Sequence, residues 1–124
     1  MPSDDGRLLY RHITLSYCEN PRTDDVNPAA FSTAGHGKVS FYDGRSISVE
    51  DSVVDYERRS GNTVSGVLGV TVGQCEELGL KVVFGEDFPE HATVYFSDMN
   101  KRARSDACQD LYEMAVDRGW LYMS

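Results

Sequence analysis

Arg11 and His12 stand side by side near the start of the chain. An arginine can clamp a phosphate or a carboxylate through two parallel N–H bonds, and a histidine beside it can move a proton near neutral pH. The pair therefore reads as a ligand-binding Arg11 next to a catalytic His12. The plainer alternative is a strand whose polar side chains pair with acidic neighbours. His36 lies between Gly35 and Gly37, which either leaves room for a ligand against the ring or marks an exposed turn. His91 follows Phe88-Pro89-Glu90 and is a candidate for ligand contact as a general base, or a ring bonded to turn backbone. Glu50 is the candidate catalytic carboxylate. A carboxylate in the first turn of a helix is also stabilised by the helix dipole alone.

Other chemistry finds no local support. The histidines show no HxxH or HxxxH spacing, and Cys18, Cys75 and Cys108 form no CxxC pair. Neither a metal site nor a disulfide framework follows from that pattern, and reduced thiols are expected. There is no phosphate-binding P-loop, no GxGxxG and no GxSxG. Lys101, Arg102 and Arg104 cluster on a helical stretch and read as a solvated face.

The net charge is −8, from 12 Lys and Arg against 20 Asp and Glu. Such a surface repels nucleic-acid backbones and anionic lipids, so no nucleic acid and no membrane is expected as a partner. No apolar run is long enough to span a bilayer, and the first residues lack the pattern of a signal peptide. A cytoplasmic location is the expectation. The seven tyrosines suit a surface that binds another protein, or half-buried strands.

The elements that must hold these residues can be read along the chain. Residues 1–6 are expected to be flexible, and residues 7–124 to form one domain. Over 7–15 the alternation places Leu8, Tyr10 and His12 on one face and Leu9, Arg11 and Ile13 on the other. A long ordered loop follows, with Phe31 anchoring its far end. KVSFY reads as a half-buried strand and Asp43-Gly44 as a turn. Ser48 caps a helix that ends at Gly61-Asn62, with Ser48 and Asp51 at capping-box spacing. VSGVLGVTV is the candidate central strand. Thr71 and Gln74 have the spacing of a second capping box, ahead of a short helix closed by Gly79. LKVVF and ATVYF are further strands. Ala103, Ala107, Leu111 and Ala115 mark a final helix, closed by Gly119. Trp120-Leu121-Tyr122 reads as a last strand or a docked tail. The fold expected is α+β: one small domain, a mixed sheet of about five strands, and about three helices mostly on one face.

Five phrases, LLYRHI, AFSTAGHGKVSFYDGRSISVEDS, SGVLGVTVGQCEELGL, FPEHATVYF and RGWLY, together resemble a widespread family of small uncharacterised bacterial proteins. The resemblance runs from residue 8 to residue 122 and implies no activity. The order Arg11, Phe31, Tyr42, Glu50 also resembles that of RES-type toxins, which have an ADP-ribosyltransferase-like fold and degrade NAD. That resemblance implies that Arg11 binds a phosphate, Tyr42 packs on the nicotinamide and Glu50 stabilises the ribosyl cation.

Two functions are expected from the sequence. The first is an acidic accessory protein without cofactor that acts by binding another protein, with the C-terminal tail able to form an oligomer contact. The second is an enzyme or binder acting on NAD or a related nucleotide.

Overall fold

The computed structural model describes residues 6–22, 25–33, 37–96 and 99–124. His36, and all but the last residue of the 1–6 segment, lie outside the described residues.

Six strands form one sheet: β1 (Leu8–Thr14), β2 (Lys38–Asp43), β3 (Val64–Thr71), β4 (Lys81–Phe84), β5 (His91–Tyr95) and β6 (Tyr122–Met123). Three helices accompany them: α1 (Val49–Ser60), α2 (Val72–Glu77) and α3 (Lys101–Arg118). The spatial order is β4-β5-β2-β1-β3-β6. Every described pairing is antiparallel, so the α+β class holds while the mixed sheet of about five strands becomes an antiparallel sheet of six. The sixth strand is the tail itself: Tyr122 and Met123 pair with Val67 and Gly66.

The helix signals work as their chemistry requires. The Ser48 hydroxyl accepts from the Asp51 amide, and Gly61 takes the left-handed conformation (φ 73°) that closes α1. Thr71 and Gln74 exchange both bonds of a capping box at the start of α2. Asn100 caps α3.

Strand alternation divides the core into two parts. On one face Leu9, Ile13, Val39, Phe41, Val70 and Val94 pack against Leu111 and Ala115 of α3 and against Phe31, which ends a 3-10 turn (Pro28–Phe31). Cys75 of α2 joins this face. On the other, Tyr10, Tyr42 and Val67 pack beneath Val53 of α1. Two helices thus share one face, and α1 covers the other.

At the far edge, β3 carries glycine where the tail arrives. A Cβ on Gly66 would lie 2.6 Å from the Trp120 ring. One on Gly69 would lie 2.6 Å from the Leu121 side chain. The tail docks because those side chains are missing.

The central pairing is incomplete. β1 and β2 are joined at Leu9–Asp43 and Tyr10–Tyr42, whereas β1 pairs with β3 along its whole length. Asp43 secures the joined end. Its buried carboxylate receives both arms of Arg7, including an Nε bond of 2.8 Å, and the Ser46 hydroxyl at 2.7 Å. Burial works against the charge of Asp43, and these bonds outweigh it and lower its pKa. Beyond Tyr10 and Tyr42 the two strands part.

Candidate functional site

The split between β1 and β2 opens into a pocket of about 200 Å³ under the last turns of α1. Arg11 lies in the split. Its Nε donates to the Ala30 carbonyl at 2.6 Å, and its Nη1 donates to the Ser40 carbonyl at 2.8 Å. A side chain thus takes the Ser40 carbonyl at the point where the β1–β2 ladder has ended. Nη2 has no hydrogen-bond partner among the described residues. No sealed side-chain nitrogen or oxygen among those residues is left without a partner, so Nη2 is not closed off from solvent, and Arg11 is one of the residues that line the pocket. No carboxylate pairs with Arg11 among the described residues.

The walls are rings. The His12 imidazole stacks on Tyr56 of α1, with centroids 4.8 Å apart and planes 4° from parallel. It meets Tyr42 edge-on, also at 4.8 Å. Phe88 lies 5.3 Å from Tyr42 and 4.9 Å from His91, which extends the aromatic wall to the β4–β5 turn. That turn holds Phe88 in place through Gly85 and Asp87, both at positive φ. Asp is one of the few residues besides glycine that tolerates such a conformation.

His12 has a defined protonation. The Ser52 hydroxyl gives its proton to the Val49 carbonyl at 2.7 Å, so its oxygen accepts from His12 Nε2 at 2.9 Å. Nε2 carries the hydrogen and Nδ1 the lone pair. Burial, aided by the charge of Arg11, lowers the His12 pKa to about 4, so the ring is neutral at pH 7. Burial also lowers the pKa of His91.

At the rim, Tyr42 donates to Asp55 at 2.7 Å, and Arg59 Nε donates to the same carboxylate at 2.7 Å. The Arg59 guanidinium also lies 3.8 Å over the Phe88 ring. Burial tends to raise the pKa of Asp55, but the bonds from Arg59, Tyr42 and Arg58 prevail and hold it at about 2. Burial and the bond to Asp55 raise the pKa of Tyr42. Arg59 is therefore a cation already paired, and Arg11 is one that is not.

Four of the residues singled out from the sequence, Arg11, His12, Tyr42 and His91, line this one pocket. Glu50 does not. It is exposed in the first turn of α1, beside Tyr10. Nine residues along the helix, about 13 Å, separate it from Arg59 at the rim. The trio of Arg11, Tyr42 and Glu50 drawn from the RES-type resemblance is thus divided between the two ends of α1. Arg11 also departs from the expectation of acidic neighbours, since it bonds to backbone carbonyls. Asp55, Tyr56, Arg59 and Phe88 join the site without having been singled out for it from the sequence. The i, i+3 and i, i+4 spacing of Asp55 to Arg58 and Arg59 was a signal for the rim. Phe88 gave none.

None of the seven tyrosines is exposed: Tyr10 and Tyr42 are buried and the other five are half-buried. Among the described residues no cluster of His, Cys, Asp or Glu could hold a metal ion, and no helix is long and apolar enough to cross a membrane. Comparison of the chain with family models, with curated proteins and with solved structures gives no match.

Proposed function

We propose that the protein binds a small anionic molecule in the split between β1 and β2. The observation that carries this reading is Arg11, a partly buried guanidinium that faces an aromatic pocket with no carboxylate partner among the described residues. A cation withdrawn from water without a counter-charge works against folding. An arriving anion supplies the missing charge, and the open Nη2 supplies the donor. Two carbonyl bonds fix the guanidinium before the ligand arrives, which reduces the ordering cost of binding.

The test is a thermal-shift titration with millimolar benzoate, inorganic phosphate and NAD as probes. A ligand that binds only the folded state raises the melting temperature by mass action. At least one anionic probe is expected to raise it for the wild type and to leave Arg11→Met unmoved. No response to any probe, or the same response from Arg11→Met, refutes the proposal.

Turnover of the bound anion is a second reading, and the uncharged His12 beside Arg11 favours it. An unprotonated Nδ1 can accept a proton from a ligand, as a weak base given a pKa of about 4. Loss of turnover with retained binding in His12→Phe would support it, and binding without turnover of any bound probe would count against it.

A further inference from the structure

We infer that the pocket selects a flat organic monocarboxylate, one ring bearing one carboxylate, over a phosphate ester. The inference rests on the reading of this pocket as an anion site and adds the ligand's charge, shape and head group.

Charge comes first. Two guanidinium groups line the pocket, Arg11 and Arg59. Arg59 gives its Nε to Asp55 and its face to Phe88. Arg11 has no such partner among the described residues. One uncommitted positive charge matches one negative charge. A phosphate dianion would bring a second negative charge into a pocket whose remaining surface is mainly ring carbon, where an uncompensated charge is costly.

The head group follows from the donors. Arg11 has already given Nε and one Nη1 hydrogen to carbonyls, so its open donors lie on the terminal nitrogens. That end of a guanidinium suits the two oxygens of a planar carboxylate. A phosphate is met by donors from several directions, and the rings of His12, Tyr56 and Phe88 leave few of them.

Size and shape follow from the walls. Ligand pockets for larger organic molecules run to roughly 300–1,000 Å³. At about 200 Å³ this one suits a single ring with its carboxylate. The wall faces are aromatic, and flat rings pack on them by stacking or edge contact.

The test is calorimetric titration at pH 8 with benzoate, benzamide and phenyl phosphate, which share the ring and differ in charge and head group. Phenyl phosphate is a dianion there, since its second proton leaves near pH 6. Benzoate is expected to bind at least tenfold more tightly than either of the others, and Arg11→Met to lose it. If phenyl phosphate binds as well as benzoate or better, with Arg11→Met losing both, the monocarboxylate inference falls and the anion site stands. If benzamide matches benzoate, or if no probe binds, both fall. Should Arg11→Met not fold, amide NMR shifts on the wild type decide. Benzoate shifts centred on Tyr56, Phe88 and His91 support the inference, and shifts centred elsewhere overturn it.

Discussion

The sheet presents two faces built from the same strands, and they are filled by opposite means. Toward α3, Leu9, Ile13, Phe41 and Val94 meet Phe31 and Leu111 in an apolar layer. Toward α1, the alternate residues are Tyr10, His12, Tyr42 and His91, and their neighbours include Arg59 and Asp55. The first face closes mainly by apolar contact, with side-chain bonds from Arg11 to the Ala30 carbonyl and from Tyr112 to the Val26 carbonyl. The second is held by hydrogen bonds between side chains and leaves a pocket where β1 and β2 part. The two-residue period of a strand lets one segment do both: Leu9 and Ile13 stabilise the fold while His12 faces the site.

Changes on the α3 face should cost the most. Phe31 is fully buried, and Phe31→Ala should destabilise the protein by about 3–5 kcal/mol in urea unfolding. A loss below about 1 kcal/mol would show that this face is not the tightly packed one.

The next effect belongs to the α1 face and depends on pH. His12 holds a proton less readily in the folded chain, at a pKa of about 4, than in the unfolded chain. Between about pH 6.5 and 4 the unfolded state therefore binds a proton that the folded state does not, and stability falls as pH falls. The full span amounts to about 3 kcal/mol. His12→Phe should lose that part of the pH slope. An unchanged slope would mean that His12 is not the group that titrates. Asp43 and Asp55 act below this window, since their lowered pKa values make stability fall again as they take up protons.

Gly66→Ala tests the sheet edge that serves both faces. The added methyl would sit 2.6 Å from the Trp120 ring, and displacing the tail should cost about 1–3 kcal/mol. Calorimetric melting measures the loss, and a neutral outcome would mean that the tail is not seated there.

The smallest effect on stability is expected from Arg11→Met. Replacing a charge that lacks a carboxylate with an apolar chain of similar length should change stability by no more than about 1 kcal/mol, because the desolvation it removes offsets the two carbonyl bonds it loses. Urea unfolding checks this, and a much larger loss would recast Arg11 as a structural tie between β1, β2 and the Pro28–Phe31 turn.

Local chemistry was legible in the sequence. Ser48, Gly61, Thr71 and Gln74 each announce a helix end through bonds that neighbouring residues make, and the structure contains those ends. The two faces of β1 follow from alternation alone. The sixth strand was less plain, because two paired residues carry no period that separates a strand from a tail. The split was not legible at all. Alternation tells which face a residue occupies but not where two strands stop pairing, and the pocket depends on that point. Glu50 shows the same limit within a helix: spacing gives its face, while the distance from α1's first turn to the site is set by how the helix lies on the sheet. The tyrosines allowed two readings from sequence, a partner surface or half-buried strands, because residue type alone does not give exposure; two are buried and five half-buried.

The position of Arg11 has a consequence for the speed of recognition. The chain as a whole carries a charge of −8, so an approaching anion is repelled at long range before it meets the recessed guanidinium. Salt screens distant charges more than close, partly buried ones. Added salt should therefore quicken association while slowing dissociation little, the reverse of the behaviour of an anion drawn in by an exposed basic surface.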